Sequence, residues 1–480
     1  MKQLTKILAT LGPSSEDIGV LRQLVEHGVR AVRLNFSHGS YESKAELIRT
    51  VRQVEAESGR PIAILADLSG PKIRLGEMQD EVRVKAGERL RVQKEPVVGD
   101  VERVSCSLPH LLDDVAVGDN LLIDDGRVQL VAEELAKDAV LCRVRIGGHV
   151  RSRKGLNLPD TDLSLSALTK KDREDAEWIA GQDVDYVALS FVQRPSDIDE
   201  LRDLLASFGC VVPIMAKIEK PLAVQRIDEI LNVCEAVMVA RGDLAVEMDF
   251  PQVPVAQKRI TRKALAAGKP CVIATEMMES MVTSATPTRA EVSDVANAVY
   301  DGADAVMLSA ETAAGEWPEE AVTIMHRIAR QVESDEAYLP RVRFLDTPPD
   351  RTTADALAHA CMTVADTVAI SAITVFTGSG STARRVARER PSVPMMVLTP
   401  SMKTARRLAL LWGAHAVATK DIGSFEEMIA KGKRMALRHR FAAAGSKLIA
   451  LAGVPFGTPG STNLMHVVSI AGDELEKHEG

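Results

Sequence analysis

An α/β architecture is predicted by this sequence: a (β/α)8 TIM barrel with an inserted β-barrel lid domain and a C-terminal α/β domain. Three observations carry it. Eight short apolar runs alternate with segments of helical periodicity. After the third run comes an interruption of roughly a hundred residues, where a short helix is expected, and its pattern switches to strand alternation. After about Asp350 the alternation of helix and strand starts afresh. The expected domains are 1–70 and 167–346 for the barrel, 71–166 for the insert and 347–480 for the C-terminal unit.

The eight runs are "KILAT" from Lys6, "VRAVRLN" from Val29, "PIAILAD" from Pro61, "YVALSF" from Tyr186, "VVPIMAK" from Val211, "AVMVA" from Ala236, "PCVIAT" from Pro270 and "ADAVMLS" from Ala303. They are continuously apolar rather than alternating, as strands covered on both faces are. Between them, "SSEDIGVLRQLVEHG", "TKKDREDAEWIAG" and "PTRAEVSDVANAVYDG" carry helix start signals, and Gly28 closes the first. The insert contains "EVRVKAGERLRVQ", "NLLIDDGRVQLVAEE" and "AVLCRVRIGGHVRSRKG", which alternate like strands around Gly-centred turns. It leaves the barrel at the C-terminal rim, where a separate domain can act as a lid. The C-terminal unit reads as the helix "ADALAHACMTVADTV", strand "ITVF", a helix, strand "MMVLT", a helix and, later, strand "KLIALAG", after the proline-bearing linker "DTPPDRTT".

Composition narrows the class. Hydrophobic content of 46% and charged content of 26% are those of a soluble globular protein. Lys plus Arg total 59 against 67 Asp plus Glu, a net charge of −8, which speaks against general nucleic-acid or anionic-membrane binding. No run of apolar residues is long enough to span a bilayer, and "MKQLTKILATLG" contains no leader-like apolar stretch. The six cysteines form no CxxC pair and sit mostly in apolar runs, so they are expected to be reduced core thiols of a cytoplasmic protein.

In such a barrel the side chains at the C-terminal strand ends build the active site. Here those ends supply Arg33, Asn35 and Ser37, then Asp67, Ser190, Lys217, Glu219, Arg241, Asp243, Thr275, Glu276, Ser309 and Glu311. One isolated charge at a strand end is an ordinary rim residue; so many polar ends converging point to a site. Glu219 and Asp243 are hard oxygen donors on successive strand ends, without His or Cys beside them. They suit Mg²⁺ or Mn²⁺ sharing water and substrate oxygens, and the competing explanation is a salt bridge to Lys217 or Arg241. Lys217 stands two residues before Glu219, on the same strand face. A fixed ammonium beside a metal-binding carboxylate is what a transferring phosphoryl group needs.

No GxxxxGK[ST] occurs, so the chain is not a P-loop enzyme. "TGSGSTA", from Thr377 to Ala383, follows a strand and opens a helix, but no acid ends the next strand to hold a ribose. Thr377, Ser379, Gly380, Ser381 and Thr382 therefore suit a bare phosphate at a helix start, or form a plain capped turn.

Read in order, "TKILATLGPSS", "VRLNFSHG", "GPKIRLG", "RKGLNLP", "MAKIEKP", "VMVARGDLAVE", "GKPCVIATEMMESM" and "PTRAEVSDVANAVYDGADAVMLSAETAAG" resemble pyruvate kinase along the whole chain. The resemblance implies Mg²⁺-dependent phosphoryl transfer from phosphoenolpyruvate to ADP, giving pyruvate and ATP, and a homotetramer. It implies that Lys217 stabilises the phosphoryl group in flight and that Arg33 holds its oxygens. Glu219 and Asp243 would carry the metal; the amides of Gly242 and Asp243, with Thr275, would hold the substrate carboxylate. Thr275 would also lie near the enolate carbon, where a water chain delivers the proton, with Ser309 and Glu311 around that water. Arg74 and Lys154, the latter from the lid, would meet the nucleotide phosphates, with His38 and Asn35 nearby and a second Mg²⁺ borne by the nucleotide. The C-terminal unit would be an effector-binding domain with "TGSGST" as its phosphate loop, taking a sugar phosphate or AMP as allosteric ligand.

Two departures matter. Potassium-dependent members usually read "DTKGPEIR", whereas this chain reads "DLSGPKIR". Their monovalent ion resembles a site made here by Asn35, Ser37, Asp67 and the carbonyl of Leu68. Lys72 replaces a glutamate, so its ammonium is expected to bring the charge of the ion and to make K⁺ unnecessary. Ser69 replaces a lysine, which removes one local phosphate contact. The alternative enzyme class is a metal-dependent aldolase-like barrel that handles the same acids without a nucleotide, and the basic "RSRKG" at the end of the insert speaks against it. A non-catalytic phosphometabolite sensor is the other alternative; the presence of Lys217, Glu219, Asp243 and Thr275 speaks against that.

Overall fold

In the computed structural model, which describes residues 3–343, 350–456 and 461–471, the eight apolar runs are eight parallel strands closed into a barrel. They are Lys6–Thr10, Val29–Asn35, Ala63–Asp67, Tyr186–Leu189, Ile214–Ile218, Ala236–Ala240, Cys271–Ala274 and Ala305–Leu308. The eighth pairs with the first, Lys6 facing Ala305 and Ala9 facing Leu308, which leaves no edge. Both strand faces are buried, and this explains the unbroken apolar runs. Leu8, Leu65, Met215, Met238, Val272 and Met307 fill the interior. Ile7, Val32, Ile64, Ile214, Val239 and Val306 face the surrounding helices.

The helix signals act as read. Asp17 caps Ile18–His27, and Gly28 ends it at φ +131°. Thr169 with Asp172, and Thr288 with Glu291, form capping boxes on Lys170–Ala180 and Arg289–Tyr300.

The chain leaves the barrel after Asp67 and returns to it at the helix Lys170–Ala180. Between them lies the lid, whose hydrogen bonding divides among the described residues into a six-stranded mixed sheet and a two-stranded ribbon. Val92, Val104, Leu121, Leu130, Cys142 and Leu156 share its separate core.

The C-terminal sheet has five strands, in the order Ala414–Ala418, Met395–Thr399, Ile370–Phe376, Lys447–Gly453, Thr462–Ser469. Two of them, Ala414–Ala418 and the antiparallel edge Thr462–Ser469, were not among the expected strands. Both lie at the sheet's edges, and neither has the continuously buried pattern of the central strands. The proposed boundary at 346/347 lies outside the described residues.

This unit closes the floor of the barrel. Leu410 and Ala409 join the interior cluster of the barrel at its N-terminal mouth. Arg406 forks onto Glu55 and Asp183, its Nε lying 2.8 Å from Glu55 Oε2. No helix among the described residues is long and apolar enough to cross a membrane.

Candidate active site

The third and fifth barrel strands end on a buried ion cluster. Lys217 Nζ lies 2.8 Å from Glu219 Oε1 and 3.4 Å from Asp67 Oδ1, and it donates to Ser190 Oγ at 2.7 Å. Arg33 Nε, on the neighbouring second strand, donates to Asp67 Oδ2 at 2.6 Å. Burial alone would depress the Lys217 ammonium, but the Asp67 and Glu219 carboxylates outweigh it and hold it above the usual lysine range. Burial would raise the Asp67 carboxyl, yet Lys217 and Arg33 hold it below its usual range. Glu219 goes the other way: burial pushes its carboxyl up, Lys217 opposes the shift and Asp243 adds to it.

That contrast bears on the metal. Glu219 is fully buried, its Oε2 accepts from Phe191 N at 2.7 Å, and its Oε1 has an ion-pair neighbour but no directed hydrogen bond. A second carboxylate, Asp243, is close enough to repel it and is exposed toward the cleft. The competing salt bridge is present, since Lys217 holds Glu219 Oε1 at 2.8 Å; a hard oxygen with one cation neighbour beside a second carboxylate still fits Mg²⁺ or Mn²⁺. No group of three or more His, Cys, Asp or Glu forms a metal cage among the described residues. Water and substrate would therefore have to complete the coordination.

Thr275 follows the seventh strand at φ +68° and Glu276 at +54°, strained values for non-glycine residues that mark a functional turn. Arg241 holds this turn: it donates to Thr275 O at 2.8 Å and pairs with Asp294 at 2.6 Å. Gly242 N, expected to be free for a carboxylate, donates instead to Thr275 Oγ1 at 2.7 Å. Ser309 Oγ is buried without a hydrogen-bond partner, and Glu311 accepts from Ser309 N at 2.6 Å and Met278 N at 3.1 Å.

A cleft of about 290 Å³ separates lid from barrel, lined by Lys72, Arg74, Lys154, Lys220, Asp243 and Glu247 among others. Lys154 pairs with Asp124 at 2.8 Å, and Arg74 Nη1 donates to Arg153 O at 2.9 Å. Two of the expected nucleotide residues stand apart from this lining. His38 is exposed on the loop after the second strand, and Asn35 Oδ1 accepts from Ser37 N at 3.0 Å.

Lys72 differs from expectation in the same way. It is exposed and lines the lid cleft, and no ion pair or hydrogen bond joins it to Asn35, Ser37, Asp67 or Leu68 among the described residues. Those four are occupied otherwise: Asp67 by Arg33 and Lys217, the Leu68 carbonyl by Ser190 Oγ at 2.7 Å, Ser37 Oγ by Ser69 Oγ at 3.2 Å, and Asn35 Oδ1 by Ser37 N.

Sequence reading missed a buried tie. Glu247 Oε1 accepts from Lys220 Nζ at 2.9 Å and, from the lid, Asn157 Nδ2 at 2.7 Å. A lysine and a glutamate in apolar surroundings 27 positions apart give no local signal.

In the C-terminal unit, Gly380 N donates to Thr377 Oγ1 at 2.9 Å, and Thr382 Oγ1 meets Thr462 Oγ1 at 2.6 Å. Thr377, Ser379 and Thr382 line a pocket with Thr399, Thr419 and Lys420, whereas Gly380 and Ser381 start the helix without lining it.

Lidded barrel and buried cation–carboxylate cluster together define a phosphotransferase. Residues 2–322 match the family model for the pyruvate kinase barrel domain, and residues 355–468 match that for the pyruvate kinase alpha/beta domain. A pyruvate kinase of Methylorubrum extorquens is 45% identical over 474 residues, covering 98% of each chain. One from Geobacillus stearothermophilus is 40% identical, covering 100% of this chain and 82% of its own. The crystal structure of a pyruvate kinase from Cryptosporidium parvum superposes with a TM-score of 0.91 at 33% identity, over 97% of this chain and 96% of that one. The chain belongs to the pyruvate kinase family.

Proposed function

We propose that this chain transfers the phosphoryl group of phosphoenolpyruvate to ADP, with Mg²⁺ or Mn²⁺ and without a requirement for K⁺. The observation that supports it most is the placement of Lys217. Its ammonium is buried, kept charged by Asp67 and Glu219, and set at the strand ends below a lid cleft to which Lys72, Arg74 and Lys154 contribute cations. A fixed cation of this kind stabilises charge that spreads over phosphoryl oxygens during transfer. Arg33 holds oxygens of the same group.

Glu219 and Asp243 would hold the divalent ion, which supplies neutralisation of substrate carboxylate and phosphate oxygens. The substrate carboxylate takes the Gly242 N–H from Thr275, which leaves Thr275 Oγ1, donating to Ala274 O at 2.6 Å, able to accept from the water that protonates the enolate. Ser309 and Glu311 fix that water. From the lid side, Lys154 exchanges Asp124 for nucleotide phosphate, and Arg74 joins it, with His38 and Asn35 at the approach.

Lys72 supplies the cleft with a permanent cation where potassium-dependent members carry a glutamate, and this supports independence from K⁺. The hydroxyl-rich pocket at Thr377, Ser379 and Thr382 takes a phosphorylated effector. The assembly is a homotetramer in the cytoplasm, in keeping with six free thiols, five of them buried.

The test is a coupled assay of pyruvate and ATP formation with phosphoenolpyruvate, ADP and Mg²⁺ in K⁺-free buffer, repeated with KCl, sugar phosphates and AMP. Turnover without KCl and its loss in Lys217→Ala are expected. Full turnover by a folded Lys217→Ala would overturn the assignment.

A further inference from the structure

The segment by which the chain crosses from barrel to lid and the Lys217 ammonium are joined by one run of hydrogen bonds. Lys217 Nζ donates to Ser190 Oγ at 2.7 Å, and Ser190 Oγ donates to Leu68 O at 2.7 Å. Leu68 O belongs to the same peptide unit as Ser69 N, which donates to Asp172 Oδ1 at 2.9 Å. Every donation runs in one direction, from the ammonium to the carboxylate. Bonds aligned in this way polarise one another, and each is stronger than it would be alone. Most of the run is shielded from water: Asp172 is fully buried, Ser190 and Leu68 are each 1% exposed, and Ser69 is half-buried.

An acid at the third position of a helix ordinarily completes a capping box. Asp172 Oδ2 does this, accepting from Thr169 N at 3.0 Å and Thr169 Oγ1 at 2.5 Å. Its other oxygen has no such local duty. It reaches across to the outgoing strand and accepts from Ser69 N and, at 3.2 Å, Gly70 N. Thr169 lies where the chain returns from the lid, and Ser69 and Gly70 lie where it departs. One buried carboxylate therefore binds both crossings. Gly70 also sits so close to Ser190 and Phe191 that an added Cβ would lie 2.8 Å and 2.6 Å from their side chains.

We propose that Asp172 is a positioning residue for Lys217, acting through the Leu68–Ser69 peptide and Ser190, so that the crossing into the lid and the lysine keep one geometry. This rests on the reading of Lys217 as the group that meets the phosphoryl oxygens. A slack link lets the ammonium drift from its transition-state position without emptying the substrate site, and a displacement of about 1 Å is enough to cost roughly a hundredfold.

The test is a double-mutant cycle of Asp172→Asn and Ser190→Ala in the full-length enzyme. Each single change is expected to lower kcat about ten- to a hundredfold, with phosphoenolpyruvate binding in the absence of ADP changed far less. Since Ser190→Ala already breaks the run, adding Asp172→Asn to it should cost little more. Asp172→Asn keeps an oxygen for Ser69 N, so it should retain more kcat than Asp172→Ala. If Asp172→Ala does not fold, the cycle alone decides. Losses that multiply in the double variant, or an Asp172→Asn enzyme that melts lower with kcat intact, would reduce Asp172 to a structural cap and overturn the proposal. Lys217→Met separates the two readings. If it is inactive while the cycle is multiplicative, only the link fails; if it turns over normally, the role of Lys217 fails with it.

Discussion

Arg33 Nε and Asp67 Oδ2 stand 2.6 Å apart at the ends of adjacent barrel strands, and the other oxygen of Asp67 lies 3.4 Å from Lys217 Nζ. One buried carboxylate thus pairs with both cations, sharing Lys217 with Glu219. Asp67→Asn leaves both without that carboxylate, which should cost about 3–5 kcal/mol of stability and most of the turnover. Because Asp67 is held below its usual range by Lys217 and Arg33, its contribution is present above about pH 4 and is lost as pH falls further. Denaturant titrations should show the wild type's advantage over Asp67→Asn at pH 7 and its disappearance in acid. Equal stability at pH 7 would contradict the pairing.

Gly70 adopts φ +67°, and a Cβ there would lie 2.6 Å from Phe191 Cδ2. Gly70→Ala should therefore cost about 1–3 kcal/mol. It should also lower kcat, since Ser190 receives Lys217 and Phe191 N binds Glu219. Melting temperature and steady-state kinetics on one preparation check both effects.

Burial, with Arg30 adding to it, pushes the Lys6 ammonium down to about 7, although Glu333 and Asp304 oppose the shift. In the unfolded chain it titrates near about 10.4. Between those values the unfolded state binds more protons, so the penalty of burying Lys6 is full below pH 7 and is relieved as pH rises. The stability of the wild type minus that of Lys6→Met should climb from pH 7 to pH 10. A flat difference would contradict a depressed Lys6.

Leu410, from the C-terminal unit, is fully buried within the interior cluster of the barrel. Leu410→Ala should cost about 2–5 kcal/mol, and calorimetry should show the barrel and the C-terminal unit losing stability together. A loss confined to the C-terminal transition would mean that the two do not share this core.

Lys72→Glu restores the acid found in potassium-dependent members. In Tris buffer free of K⁺ the variant should lose activity and regain it on addition of KCl, whereas the wild type should respond little. A strong KCl response in the wild type would remove Lys72 from this role.

Continuous apolarity in eight runs such as "AVMVA", each followed by a helical segment, made the barrel legible; the apolarity alone would equally suit an open sheet covered on both faces, as Met395–Thr399 in the C-terminal unit shows. The strand-end residues followed from that topology alone: Arg33, Asp67, Lys217 and Glu219 do meet. What stayed hidden depended on juxtaposition. Asp172 looks like a cap in sequence, and its second oxygen reaches a segment 103 positions away. Lys72 shares a decapeptide with Asp67, yet the turn at Gly70 directs it to the lid cleft rather than to the ring of Asn35, Ser37 and Leu68. "AHAVA" is a short, alanine-rich run with a histidine at its second position, which has little of the β-branched content that marks a strand, and in the structure it is a half-buried edge strand.

The floor closed by Leu410 has a biosynthetic consequence. The eighth barrel strand ends at Leu308, so about a hundred residues must still be made before the stopper leaves the ribosome. At ~5–20 residues per second the nascent barrel spends roughly 5–20 s with an apolar hole at its base. During that interval the chain is a substrate for chaperones that hold greasy openings shut, and slowing translation between Leu308 and Leu410 should lower its yield without altering the finished enzyme.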